Sequence, residues 1–339
     1  MIWLLFVVPA AYQLVALIAC IRHLLRREAE AASYPPVSIL KPIHRKTPRV
    51  EAAIATNRAQ DYPAFEVLAE TARTTRTPNR KVGALIELAR AASHPVLVVS
   101  DADIAVPHDY LRRVVAPLAE PGVGLVTCLY RATGETFPAQ WEALGVATDF
   151  APSTLVAPLA GINEFAMGST LAFRAADLQR AGGFESIADY IADDYQLGRR
   201  IAALGLKVRM SKVVVETHLE GRSMGDVWRH QLRWARTIRL SRGAYAGLPV
   251  TNASFWAVLL VAAGQHTLAV ALVFLRLLVG LAAGWAILRS RVVLRWWFLM
   301  PARDLWGLAV WTAAMTGNTV VWSGERMSLD RHGRIVHIE

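Results

Sequence analysis

Asp101 and Asp103 close the run Val96-Leu-Val-Val-Ser-Asp-Ala-Asp-Ile-Ala-Val106, with one residue between them. Residues two apart on a strand point the same way, so both carboxylates would face one divalent cation and the phosphate it carries. The plainer alternative is a strand-end turn with two solvated acids. A second acidic pair, Asp193 and Asp194, opens a helical stretch in Tyr190-Ile-Ala-Asp-Asp-Tyr195. Acids in a first turn also complement the helix macrodipole, and neighbours on a helix diverge, so only one of the two readily faces a cleft. The third grouping is basic and aromatic. Met224 to Ser241 is amphipathic and carries His230, Arg233 and Trp234 among further Arg and Trp residues, with Arg242 just past it. Such a helix lies at a membrane interface with Arg among lipid phosphates, or aims a guanidinium and an indole at an activated phosphate and a sugar ring. The two roles are compatible.

The elements that must position these groups alternate. Val37–Leu40 reads as a strand, Val50–Gln60 as a helix ended by Tyr62-Pro63, Phe65–Ala69 as a strand, and Lys81–Ala92 as a helix feeding the central apolar run. Between the last two lies a Thr/Arg-rich turn, Thr71 to Asn79. Strand, helix, strand, helix, strand implies parallel pairing with helices on both faces, as in a doubly wound α/β fold, where ligands bind beyond the carboxyl ends of the strands. Asp101 and Asp103 occupy that edge. Beyond it follow helix Tyr110–Leu118, strand Val123–Leu129 and a variable stretch with Pro138, Pro152 and Pro158. An apolar run, Phe165–Phe173, is broken at Gly168-Ser169, a short helix spans Asp177–Ala181, and strand Val213–Thr217 ends at His218.

Composition adds a membrane. The chain has 339 residues, is 54% hydrophobic, carries a net charge of +10 and has two cysteines, too few for a disulfide framework. Basic residues sit beside apolar stretches without a nucleic-acid recognition motif, so anionic lipid headgroups are the expected partner and nucleic acid is not. Met1 to Ile21 is apolar and followed by Arg22, Arg26 and Arg27, which reads as a first span with its basic flank in the cytoplasm. Glu28 to Pro36 reads as a polar linker. Four parts are expected: a transmembrane helix at 1–22, a cytosolic catalytic domain at 34–250, a transmembrane region at 254–323 and a basic tail at 324–339. In the third part, Ser254–Leu288 allows one or two passes, while Val292–Met300 and Leu305–Trp322 add one or two more. Arg289, Arg291, Arg295 and Arg303 point to a cytoplasmic loop.

Seven segments carry a resemblance: Val37-Ser-Ile-Leu-Lys-Pro42, Gln60-Asp-Tyr-Pro63, Asn79-Arg-Lys81, Ser100-Asp-Ala-Asp-Ile104, Gly182-Gly-Phe184, Tyr190-Ile-Ala-Asp-Asp-Tyr195 and Gln231-Leu-Arg-Trp234. In this order they resemble the ceramide glucosyltransferase family, membrane-bound inverting GT-A glycosyltransferases. The bacterial branch concerned with hopanoid biosynthesis, which glycosylates bacteriohopanetetrol, is the most similar. The resemblance implies a Rossmann-like, mostly parallel GT-A domain between transmembrane helices in a bacterial inner membrane, facing the cytoplasm. It implies transfer of N-acetylglucosamine or glucose from a UDP-sugar to a lipid hydroxyl of a hopanoid or ceramide. Asp101 and Asp103 would hold Mg²⁺ or Mn²⁺ on the diphosphate, Asp194 would be the general base with Asp193 beside it, and Arg233, Trp234 and His230 would meet diphosphate and sugar. Lys41 and Lys81 would approach the nucleotide. His218 would be a further metal ligand, or else a packed or solvent-facing imidazole.

Two places depart from the family pattern. The chain passes from Glu70 almost directly to Asn79, without the acid that normally helps to hold the uridine, and His230 stands where Gln or Arg is usual. The first departure leaves open a family member that binds a lipid or partner instead of transferring sugar. A metal-dependent phosphohydrolase built on Asp101 is a third reading, in which Asp193, Asp194 and the Arg-Trp segment have no role.

Overall fold

The computed structural model describes residues 2–28, 33–70, 75–241, 243–322 and 324–338. Arg242, positions 29–32 of the polar linker and positions 71–74 of the Thr/Arg-rich turn lie outside them. The chain begins with helix α1 (Ile2–Leu25) and then builds β1 (Val37–Pro42), α2 (Pro48–Arg58), β2 (Phe65–Glu70), α3 (Arg80–Ala91), β3 (Val96–Val99) and β4 (Ile104–Ala105). Helix starts follow local chemistry. Thr47 accepts the amide of Val50 with Pro48 at the first helical position, and Asn79 accepts the amides of Lys81 and Val82.

Then come α4 (Tyr110–Val115), β5 (Val123–Thr133), α5 (Phe137–Gly145), α6 (Ala151–Val156), β6 (Leu171–Arg174), α7 (Ala175–Arg180), α8 (Asp193–Ala203), β7 (Lys207–His218) and α9 (Met224–Ser241). The seven strands form one sheet in the order β2-β1-β3-β6-β5-β7-β4. β1, β2, β3, β5 and β7 run one way, while β6 and the short edge strand β4 run the other. This is the expected α/β sheet, mostly parallel, with the reversed β6 inserted between the two parallel groups. One face is filled by Val37, Ile39, Val98, Val126 and Val215 with Tyr110 and Leu111 of α4, the other by Leu40, Val99, Leu125 and Phe173 with Leu85 of α3 and Leu197 of α8.

The C-terminal third consists of α10 (Leu248–Thr251), α11 (Ala253–Ala262), α12 (His266–Leu281), α13 (Arg291–Trp296), α14 (Met300–Ala314) and a small antiparallel sheet of β8 (Thr319–Trp322), β9 (Glu325–Leu329) and β10 (Ile335–Ile338). Among the described residues three helices are long and apolar enough to cross a membrane: Trp3–Leu25, Phe137–Ala160 and His266–Ile287. A fourth arises if Tyr245–Thr251 and Ala253–Ala262, bent by 50°, count as one span.

Several expectations change here. The proline-bearing stretch after β5 is not irregular: α5 and α6 join through a π-helical turn, Val146–Phe150, into one apolar helix. Prolines at the start of each piece, Pro138 and Pro152, cost no hydrogen bond where the register is already interrupted. Leu305–Trp322 is not a span, because α14 stops at Ala314 and Thr319–Trp322 is a strand. Within the stretch expected as a basic tail, Glu325–Leu329 and Ile335–Ile338 are strands of the C-terminal sheet. Arg303, expected in a cytoplasmic loop, is buried within α14. Its guanidinium lies 3.5 Å from Asp149, which also accepts from Arg276 Nη2 at 2.6 Å, while Asp304 accepts from Nε and Nη2 of Arg276. Charges inside apolar helices are tolerated when paired in this way.

Candidate active site

The two acidic groups of the sequence meet through Lys81. Asn79 caps α3 and donates its side-chain amide to the carbonyl of Tyr190 at 2.8 Å, which pins the start of α3 to the loop before α8. Lys81, the second residue of α3, places its ammonium 2.8 Å from Asp101 and 2.9 Å from Asp193. Burial alone would lower the ammonium's pKa, but Asp101, Asp193 and Asp194 raise it above the usual lysine value, so it stays charged.

Asp194 diverges from Asp193, as helix geometry requires. Its carboxylate accepts the amides of Gly168 at 2.8 Å and Tyr195 at 2.7 Å. Its pKa is pushed up to about 6, by desolvation first and by Asp193 next, against the pull of Lys81 and the two amides. A carboxylate so placed is ionised at neutral pH yet basic enough to take a proton.

Gly168 and Gly198 make this approach possible. A β-carbon on Gly168 would stand 2.9 Å from the Asp101 carboxylate and 3.1 Å from the Lys81 ammonium. One on Gly198 of α8 would stand 2.9 Å from the amide of Ala166 and hold the helix off that loop.

Arg233 of α9 is mostly buried and makes no hydrogen bond or ion pair among the described residues. Desolvation pushes its pKa down to about 10, while the charges of Glu142 and, after it, Asp101, Tyr130 and Asp194 favour its ionised form. Trp234 packs on Phe150 and on His230, whose ring centroid is 4.5 Å away.

The remaining expected residues fall as follows. Asp103 is exposed at the strand end, its carboxylate oriented by the Thr217 hydroxyl at 2.6 Å. His218 hydrogen-bonds Thr133 through Nδ1 at 3.2 Å, while its Nε2 is buried without a partner. Lys41, expected at the nucleotide, lies fully buried beneath the Asp101 turn. Its ammonium donates to Ser100 Oγ and to the carbonyls of Asp101 and Ile104 at 3.0–3.2 Å. It therefore shapes the turn from below. His230 hydrogen-bonds Glu142 through Nδ1 and is thus turned toward α5.

Glu142 is the residue that sequence reasoning missed. It is 1% exposed and holds both His230 and, at 2.7 Å, Arg222. A charged residue within an apolar stretch is the only signal that marked it. The C-terminal sheet was missed as well: Ile191 donates to Gly333 at 3.2 Å, and Ile335 donates to Asp189 at 2.7 Å, beside the acidic pair.

Among solved structures, the mannosyltransferase PcManGT from Pyrobaculum calidifontis, in complex with GDP-Man and Mn²⁺, is similar over 93% of this chain and 97% of its own, at 21% identity and a TM-score of 0.52. Glucosyl-3-phosphoglycerate synthase of M. tuberculosis matches 60% of this chain and 79% of its own at 18% identity, with a TM-score of 0.36. The first likeness identifies the fold as GT-A. The sequence matches the model of the family described as Glycosyl transferase family 21 over residues 1–75 and 69–335. These two stretches meet where the chain passes abruptly from Glu70 to Asn79. With the match running almost end to end, the chain belongs to glycosyl transferase family 21.

Proposed function

We propose that the protein is a membrane-embedded inverting transferase that moves N-acetylglucosamine or glucose from a UDP-sugar to a lipid hydroxyl, on a hopanoid polyol such as bacteriohopanetetrol or on ceramide. The observation that supports this reading is the meeting of the two acidic groups at Lys81, with the raised carboxylate of Asp194 held beside them by Gly168, and with the mostly buried guanidinium of Arg233 within electrostatic reach of Asp101 and Asp194. A diphosphate satisfies the guanidinium and an attacking alcohol the Asp194 carboxylate.

The two acids suit a hard divalent ion, because Asp103 is exposed and its carboxylate is oriented by Thr217. Asp101 and Asp103 would hold Mg²⁺ or Mn²⁺. Among the described residues no three His, Cys, Asp or Glu side chains gather as a metal site, so His218 does not join the two acids as the sequence suggested, and phosphate oxygens and water would supply most of the ion's ligands. When bound, the ion neutralises charge on the departing nucleotide. The similar mannosyltransferase carries Mn²⁺ with its nucleotide sugar.

Arg233 supplies fixed positive charge where the diphosphate charge grows, in a site that excludes most water. Lys81 keeps Asp101 and Asp193 from repelling each other. Asp194 takes the proton of the acceptor hydroxyl on the face opposite the leaving group, so no covalent protein intermediate is needed. The apolar helices hold this cleft against a bilayer, where a lipid alcohol arrives without leaving its membrane.

Full-length protein in nanodiscs, given radiolabelled UDP-N-acetylglucosamine or UDP-glucose with Mn²⁺ and either bacteriohopanetetrol or ceramide, tests the reading. Labelled lipid that vanishes on chelation is expected. Folded protein that binds no UDP-sugar would instead make the chain a binding member of the family, the reading that its shortened 70–79 segment favours. Phosphate release without acceptor would mark a hydrolase.

A further inference from the structure

The end of the first apolar helix delivers a group of cations to one small cavity, and we propose that this cavity takes the phosphate group of an anionic membrane lipid. The proposal rests on α1 being a membrane span and is independent of the transfer chemistry. α1 stops at Leu25, and Arg26, Arg27 and Glu28 follow at once. With α4 and β7 they enclose a cavity of about 140 Å³.

Charge in this cavity does not balance. Arg113 pairs with Glu28 at 2.8 Å, and Arg209 pairs with Glu120, so both acids of the lining are spent. Arg26, Arg27 and Lys212 remain. Arg26 donates to the carbonyl of Met210, and Lys212 donates to the carbonyls of Leu24 and Arg26 at 2.9 and 3.0 Å. These contacts occupy donors and fix the groups in place, but a carbonyl cancels no net charge. Arg27 is exposed and has no hydrogen bond or ion pair among the described residues. Burial, and after it Arg209, hold the Arg26 guanidinium below its ordinary value, which an anion in the cavity would reverse.

Depth selects the ligand. A cationic cavity directly after an apolar span sits at headgroup level, where phosphodiesters are the abundant anions. One or two such cations also complement the negative end of α1, and Lys212 alone serves that purpose. The amphipathic helix α9 does not compete for the role. Arg236 donates to the carbonyl of Thr319, and Arg239 to Met315, Gly317 and Asn318, so these guanidiniums point at the C-terminal segment and away from the end of α1.

The test compares full-length protein in nanodiscs of phosphatidylcholine alone with nanodiscs containing phosphatidylglycerol, and adds inorganic phosphate to the protein in detergent. Retained lipid is read by native mass spectrometry and stability by thermal unfolding. Phosphatidylglycerol is expected to be retained and stabilising, with about fivefold weaker retention in Arg27→Gln and no change in Arg331→Gln, a cation of the tail. Equal retention in the parent and Arg27→Gln, or no preference over phosphatidylcholine, would overturn the proposal. So would equal stabilisation by inorganic phosphate, which would make the ligand a free anion. Failure to enter nanodiscs of any composition would count against the span itself.

Discussion

Gly168 donates its backbone N–H to Asp194 Oδ2 at 2.8 Å, and its carbonyl accepts the amide of Asp101 at 3.3 Å. One residue thus sets the spacing between the acid at the end of the central strand and the acid at the head of α8. Gly168→Ala puts a methyl 2.9 Å from the Asp101 carboxylate, and one of the three elements must yield. Turnover is expected to fall by about 100-fold, the scale of a 1 Å misplacement, with circular dichroism unchanged. Parent-like turnover would show that the spacing is not critical.

Asp194→Asn removes the base and keeps the shape. Transfer is expected to drop by about 10² to 10⁴-fold while UDP binding, followed by calorimetry, stays near that of the parent. In the parent only the ionised form accepts a proton, so kcat/KM should rise with pH through about 6 and then level. Stability runs the opposite way. Between the ordinary 3.8 and about 6 the folded state binds more protons than the unfolded one, so this group's stabilising contribution is present at acid pH and lost as pH rises through about 6. An asparagine never charges. The melting temperature of the variant relative to the parent should therefore increase from pH 4 to pH 7.

Much of this was legible in residues close together along the chain. Alternating strands and helices disclosed the α/β layers, because period and local order survive into the fold, and the apolar run marked the end of β3, although Asp101 and Asp103 lie in the turn after that strand and not on it. What stayed hidden depended on distant partners. Lys41 is charged, yet three acceptors of the 100–104 turn bury it completely, and nothing near Lys41 in the sequence announces them. The helix over 137–160 was obscured by its prolines, each of which sits where a new helical turn begins. The C-terminal segment read only as a basic tail, since its strands are short and their apolar partner, Ile191, lies far upstream.

Arg233→Lys tests the guanidinium itself. A lysine keeps the charge but loses the planar pair of donors that fits a diphosphate. The donor KM is expected to rise by about tenfold, or about 1.4 kcal/mol, with a smaller change in the acceptor KM. If the acceptor KM moved and the donor KM did not, Arg233 would belong to the lipid side of the cleft.

The C-terminal sheet offers the last prediction. Its turn pairs Arg334 with Tyr190 in an isolated β-bridge, Ile335 donates to Asp189 at 2.7 Å, and Arg334 reaches the Tyr190 hydroxyl at 3.0 Å. Ile191 joins the apolar cluster of Val320, Met327, Leu329 and Ile335. The carbonyl of Tyr190 holds Asn79 at the head of α3, and two residues after Ile191 comes Asp193, so the sheet backs the loop from which both the Lys81 tie and the base are set. Ile335→Pro removes the amide that donates to Asp189 and also trims the apolar side chain, and Ile335→Val, which trims the side chain but keeps the amide, serves as its control. The proline variant is expected to lose about 100-fold in kcat, a misplacement effect, and to shift the acid limb of the pH profile, with the donor KM changing far less. Turnover and pH profile matching the valine control would mean that the sheet supports the protein without aligning its acids.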